Sequence, residues 1–529
     1  MTRQLTLAVI SLLLFACAPQ ETARAQGKSD PHEADNAGRN LVSRRLNVKL
    51  VSANSRDAYQ NPEAALDGDP ATEFTFVWGN GGAEVVLDLC EPAVVESLEI
   101  VSGPTGGPFF LSEVNVGPDQ SHLQRDLLHR GVNLVVVPGK NTRIQLIPAV
   151  SRYLRLFFSG GGKSGIGEIS VHGRPCRPER HLCHWWSGDV KSDFLDAMDY
   201  LDRDLQVTDV WIDKVVTAFP STRPNYGFES LDQGGALREL KQRGIRYWLI
   251  EDEGFAELVN GPADLRDDAK WETTIRRARE VYGRAKGLGF RGLALDAEDY
   301  VPPADKAVID KYSQAADSVD CWTFNDEFGY SGYYYQRGLQ FGRVIKEVWD
   351  CPVIQYYEAV MYAGKAGCRD GNYWWLKGMH DAGIEIWIGT EMTYGRGKME
   401  LYEKETGYTD VVARTHVDLP EFIPRAHQAY PFAARVLPGF HPWITGFGGG
   451  VPNYLPRYLD EQLSITENSA FGCWIYHGGT KHAGDPRKVL SREFLTKHRL
   501  SEEDYLDVFR RHPSTRPPGR NASEDSTTR

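Results

Sequence analysis

Between Arg291 and Tyr300 the chain reads RGLALDAEDY, an apolar run that ends in three carboxylates within four positions, Asp296, Glu298 and Asp299. Unpaired carboxylates are costly inside a sheet, so this strand either runs out into solvent or gathers its acids for chemistry. Asp296 and Glu298 are two residues apart, which in a strand places both on one face; Leu293 and Leu295 are expected to share that face toward a barrel interior. Carboxylates this close titrate as a coupled pair, one of them kept protonated near neutral pH. Cleavage of a glycosidic bond needs such a pair: a proton for the leaving oxygen and negative charge for the oxocarbenium. Glu298 is therefore expected to be the general acid and Asp296 its orienting charge partner. Glu391, ahead of Glu358, is expected to be the nucleophile or water-activating base.

Other polar residues also close strand-like runs: Asp213 and Lys214, Glu251 to Glu253, His184 and His477. A ring of acids interleaved with aromatics suits a wet cleft for a neutral, hydroxyl-rich ligand, on which flat rings stack. Trp186, Tyr300, Tyr394, Trp474 and His477 are the residues expected to line sugar subsites.

The elements that must hold these groups alternate. The strand-like segments HLCHWW, VTDVWIDKVVTAF, IRYWLIEDE, RGLALDAEDY, PVIQYYEAVMY, IEIWIGTEMTYG, HPWITGFGG and FGCWIYHGG are separated by amphipathic stretches such as GGALRELKQRG and WETTIRRAREVYGRAKGLG. Strand then helix, repeated about eight times, is the layout of a (β/α)8 TIM barrel, whose chemistry sits at the C-terminal strand ends. No GxGxxG or P-loop pattern follows the first strand, which disfavours a doubly wound sheet. The barrel is expected over residues 178–510 and a disordered tail over 511–529.

Ahead of it, residues 46–173 alternate apolar and polar positions with turns between and almost no helical periodicity, the pattern of an all-β jelly-roll sandwich. RPCRPER, Arg174 to Arg180, is a Pro-rich joint between the two domains. Residues 18–45 read as a polar tether. Residues 1–17, with Arg3 before an apolar run too short to span a bilayer, read as an export signal. LFAC, Leu14 to Cys17, resembles a bacterial lipobox, which implies lipidation at Cys17 and a membrane-anchored protein at the cell surface, in the outer membrane or in the periplasm. Seven cysteines follow, and export permits a local Cys176–Cys183 bridge across the joint, with Cys321–Cys351 a second candidate. The absence of CxxC and HExxH gives little support to zinc.

Two resemblances add to this. NPEAALDGDPATEFTF, VVLDLCEPAVVESLEIV, RYLRLFF and IGEISVHG resemble the coagulation-factor 5/8 type C, or discoidin, modules and the family 32 carbohydrate-binding modules of the same jelly-roll. That resemblance implies a structural calcium ion held by Asp67, Asp69, Thr72 and Glu168, oxygen donors of the kind calcium prefers. No cofactor is expected for catalysis. GLALDAEDY is similar to the fourth-strand DGxDxDxE motif of family 18 glycoside hydrolases, matching at Gly292, Asp296 and Glu298, and MTYG (Met392 to Gly395) to that family's sixth-strand motif. Arg291, Ala294 and Gly395 stand where the family carries acids, so the resemblance does not extend to its substrate-assisted chemistry.

The net charge of −12 argues against nucleic acid as a partner. The expectation is an exported glycoside hydrolase acting on a poly- or oligosaccharide, with an accessory sugar-binding sandwich. Two other readings stay open: a non-catalytic surface glycan-binding lipoprotein, and a metal-dependent hydrolase using His184, His477 and aspartates.

Overall fold

Strands rich in Val, Ile, Leu and Phe at alternate positions build the first domain. It comprises β1 (Arg44–Arg45), β2 (Lys49–Ser55), β3 (Ala58–Gln60), β4 (Phe74–Trp78), β5 (Ala83–Gly106), β6 (Phe109–Gly117), β7 (Arg125–Asp126), β8 (Leu134–Val136), β9 (Asn141–Gly160) and β10 (Gly162–Pro175). The computed structural model describes residues 44–55, 58–78, 82–117, 119–120, 123, 125–128, 134–160, 162–176, 178–185, 195–213, 217–219, 227–233, 235–251, 266–296, 330–356, 371–390, 423–424, 426–427, 429–440, 456–477 and 499–514. All pairings in this domain are antiparallel, in the order β3-β4-β10-β5-β9-β6-β7, with β1 on β10, β2 on β5 and β8 on β6. Inward-facing residues form one core, in which Phe74, Phe76, Phe109 and Phe158 pack with ring centroids 5.3–6.3 Å apart. The result is the expected antiparallel β-sandwich. Arg45, expected in the tether, belongs to it, since it pairs with His172.

Eight strands of the second domain pair in parallel and close on themselves: β11 (Glu179–Trp185), β12 (Asp209–Asp213), β13 (Arg246–Glu251), β14 (Leu293–Leu295), β15 (Val353–Gln355), β16 (Ile386–Thr390), β17 (Arg435–Phe440) and β18 (Gly472–His477). Between or after them lie α1 (Gly227–Gln233), α2 (Ala236–Gln242), α3 (Asp268–Leu288), α4 (Tyr330–Val348), α5 (Gly371–Asp381), α6 (Pro456–Ser469) and α7 (Glu502–Arg511). This is an eight-stranded parallel barrel with surrounding helices, a TIM barrel. Among the described residues no helix is long and apolar enough to cross a membrane.

Alternate positions of each strand divide between two cores. Leu182, Val210, Ile212, Leu249, Val353, Ile386 and Ile388 pack outward with helix residues. Cys183, Trp211, Trp248, Ile250, Ala294, Ile354, Tyr356, Trp387, Leu437 and Trp474 fill the barrel itself. Leu293 and Leu295 belong to the outer set, contrary to the expectation that they face inward. Crowding is the cause. The interior is filled by indoles, and a Cβ on Gly292 would sit 2.3 Å from the Trp248 ring, so β14 turns its smallest residues inward. Asp296 shares the parity of Gly292 and Ala294, not that of the leucines.

The C-terminal helix α7 packs against α6. Ser501 and Asp504 form a capping box at its start. The buried guanidinium of Arg180 donates to the carbonyls of Leu205, at 2.6 Å, and His512, and lies 4.9 Å over the Phe509 ring. Residues 511–514, expected in a disordered tail, are thus docked, with Ser514 also donating to the Gln206 carbonyl. Helix α6 touches the sandwich strands β5, β6 and β9 as well as α7 and β18, so the Pro-rich joint is bridged by side-by-side packing. Cys176 is a free thiol, so the expected bridge to Cys183 is not formed. Cys183 lies inside the barrel, and the strand from Glu179 to it already advances the chain roughly 13 Å, beyond disulfide reach.

The tight interior gives a stability test. A Cβ on Gly389 would lie 2.9 Å from Tyr356 Cβ and 3.1 Å from Trp474 Nε1. Gly389→Ala should therefore lower the unfolding free energy by about 1–3 kcal/mol, measured by chemical denaturation; an unchanged midpoint would show that the interior has slack.

Candidate active site

The two ends of the barrel differ. At the N-terminal end, Glu179, Asp209, Arg246 and Arg435 open β11, β12, β13 and β17, and Arg291 stands just ahead of β14. They interlock. Glu179 pairs with Arg246 at 3.0 Å and with Arg291 and Arg435 at 3.3 Å, while Asp209 pairs with Arg246 at 2.6 Å and Arg291 at 2.9 Å. Burial alone would raise both carboxyls, but the guanidiniums hold them well below the usual carboxylate range. Arg291, which departs from the acidic motif it resembles, therefore belongs to a plug and is remote from the strand's C-terminal end.

The plug also satisfies the indoles above it. Trp248 donates to Asp209 at 2.8 Å, Trp387 to Glu385 at 2.6 Å and Trp211 to His181 Nδ1 at 2.9 Å. An indole N–H only donates, so His181 carries its ring proton on Nε2, 3.3 Å from Glu179. Arg435 lies 4.1 Å over the Trp387 ring, and Arg291 lies 5.1 Å from it. Glu179, His181 and Asp209 bring ligand atoms within 4.8 Å of one another. Their lone pairs are nevertheless taken up by three guanidiniums and two indoles. An ion would have to displace these fixed cations, so the set fits structure better than metal binding.

Midway up, Trp211, Tyr356 and Trp474 pack with centroids 5.1–5.3 Å apart and form a floor. Trp474, expected to line a sugar subsite, is fully buried here. Strand β18 runs three residues beyond it to His477, the expected end of the strand, so Trp474 stands in the middle of the barrel and not at its mouth.

Above the floor are the C-terminal strand ends. Asp213 ends β12 with the inward parity of Asp209 and Trp211, and it is buried. Asp296 follows β14, half-buried, and its N–H donates to the Glu251 carbonyl at 3.0 Å, extending the ladder. Both positions therefore face the barrel mouth. Glu251 does not. It shares the parity of Leu249 and sits in the helix layer, accepting from Ala218 N at 2.8 Å and from Tyr282 Oη at 2.9 Å. The ring of strand-end acids is thus sorted by parity. Asp213, which the sequence marks as a strand-end acid without a role, is the inward residue on this strand, reached by counting forward two positions from Trp211.

Trp186, Glu298, Tyr300, Glu358, Glu391, Tyr394 and Cys17 lie outside the described residues. His477 is at the end of β18, its backbone the register partner of His184 on β11. In the sandwich, Asp67, Asp69 and Thr72 share one turn, in which Thr72 Oγ1 donates to Asp67 at 2.7 Å and Asp69 N to Asp67 at 2.8 Å, and Glu168 meets that turn by accepting from Gly68 N at 3.0 Å.

No family model matches the chain, and no curated protein matches it. Among solved structures it is similar to the family 32 carbohydrate-binding module of AlyQ in complex with 4,5-unsaturated mannuronic acid, at 15% identity over 24% of this chain and 97% of that one, TM-score 0.20. It is also similar to the family 32 module of C. perfringens NanJ in complex with galactose, at 16% identity over 25% and 99%, TM-score 0.19. A third is the C-terminal domain of a chitobiase from Bacteroides fragilis, at 14% identity over 25% and 99%, TM-score 0.21.

Burial pushes the Glu251 carboxyl up to about 8, against the opposing pull of the Ala218 N–H and the Tyr282 hydroxyl. A raised carboxyl gives stability that is fully present below its unfolded value and lost as pH climbs to its folded one. Stability should thus fall between about pH 4.5 and pH 8. Glu251→Gln, which stays neutral, should flatten that slope in melting temperature measured across the range; a slope identical to wild type would place the titrating group elsewhere.

Proposed function

We propose that the barrel is a glycoside hydrolase working at its C-terminal mouth. The observation that carries this reading is the pair of inward-facing carboxylates, Asp213 and Asp296, above an aromatic floor in a barrel whose other end is sealed by ion pairs. A plugged, tryptophan-filled interior leaves one open end for a ligand. There, acids near aromatic surfaces match the needs of sugar binding and of proton transfer to a glycosidic oxygen.

Strands β12 and β14 are separated by β13, so their backbones stand roughly 10 Å apart. Side chains reaching inward from that spacing leave room for a ligand between them. In this reading Glu298, two residues beyond Asp296 in sequence, donates the proton with Asp296 as charge partner. Asp213 or Glu391 activates a water, and Glu358, Trp186, Tyr300, Tyr394 and His477 complete the cleft. The sandwich holds the polymer, and the export signal with Cys17 lipidation anchors the enzyme at the cell surface.

The test is release of reducing ends from a panel of polysaccharides. Asp213→Asn and Asp296→Asn should each fold as wild type does and lower turnover by roughly 10²–10⁴. Full activity in both variants would remove Asp213 and Asp296 from the site, and sugar binding by the wild type without any cleavage across the panel would remove the hydrolase reading.

A further inference from the structure

We propose that the guanidinium of Arg45 does the work of a divalent cation in the sandwich, so that this domain closes by an ion pair and needs no calcium. The turn at residues 67–72 lies directly on β10: a Cβ on Gly167 would come within 2.8 Å of the Pro70 carbonyl oxygen. At that contact the buried carboxylate of Glu168 must be neutralised. Arg45 does so, since its guanidinium donates to Glu168 Oε1 while Gly68 N donates to Oε2 at 3.0 Å. The arginine is held in place by its own strand, with Arg44 and Arg45 paired to Gly173 and His172 of β10.

The other expected donors are turned to the loop's own needs. Asp67 accepts from Thr72 through one oxygen, at 2.7 Å, and from Asp69 N through the other, at 2.8 Å. Asp69 accepts from Ala71 N at 3.0 Å, closing a second turn of the same kind. As a set, Asp67, Asp69 and Glu168 do not bring their oxygens within 4.8 Å of one another. Calcium requires six to eight oxygens converging at about 2.3–2.6 Å. Here the negative charge is spread along a turn, and its one buried member already faces a fixed positive charge. A guanidinium gives that carboxylate charge and directed hydrogen bonds together.

The experiment uses the full-length chain, dialysed against EDTA and then melted with and without millimolar CaCl2. The apparent melting temperature of the wild type should not move with calcium, and titration calorimetry with CaCl2 should give no saturable heat. Arg45→Gln, which leaves Glu168 without its cation, should melt about 3 °C lower in EDTA. Calcium-dependent stabilisation of the wild type would overturn the proposal, as would an Arg45→Gln protein that melts with the wild type in EDTA. Should that variant not fold, the wild-type calcium titration alone decides.

Discussion

An indole N–H inside a closed barrel must find an acceptor, because a buried donor without one costs about 1–3 kcal/mol. That constraint organises this barrel. Trp211, Trp248 and Trp387 take His181, Asp209 and Glu385 as acceptors. Buried acids need cations, and Arg246, Arg291 and Arg435 supply them. Filling the interior with tryptophan therefore draws in the polar plug at the N-terminal end. Breaking one partner of such a network would cost roughly 3–5 kcal/mol by leaving an uncompensated buried charge.

The same filling decides where chemistry has room. With the middle occupied by Trp211, Tyr356 and Trp474, no ligand passes through, and inward positions become available only above them. Asp213 and Asp296 occupy such positions. Glu251, one strand away, points outward and holds the 217–219 segment from behind, its carboxyl pushed up by burial. Three acids at three strand ends are thus divided by strand parity between the barrel mouth and the helix layer. The sandwich is joined to this scaffold by contact with α6 as well as by the covalent joint.

Much of the architecture was legible in the sequence because periodicity reports it directly. Alternation over 46–173 and the strand–helix repeat beyond it both reflect burial on one face of an element. Facing direction inside the barrel was less legible. Period-two alternation already separates Leu293 and Leu295 from Asp296 and Glu298, but a strand flanked by helices is apolar on both sides, so which of the two sets faces inward is not readable until the width of Trp248 is known. Depth along a strand was also illegible, since Trp474, three residues short of the strand end, is buried in the barrel. The plug was invisible for another reason: Glu179, Asp209, Arg246, Arg291 and Arg435 are far apart in sequence and share no motif. Arg45 was hidden by its neighbours, since a polar stretch ahead of a domain gives no hint that its last residue pairs with a strand more than a hundred positions away.

The central claim is that the barrel's ligand binds at the C-terminal mouth between Asp213 and Asp296. A crystal structure of the inactive Asp296→Asn protein soaked with an oligosaccharide cleaved by the wild type tests it most directly. Sugar density should appear above the Trp211–Tyr356–Trp474 floor, with a glycosidic oxygen within hydrogen-bonding reach of residue 296 or Glu298 and Asp213 on the opposite side. Sugar found only on the sandwich, or among the arginines at the N-terminal end, would contradict it.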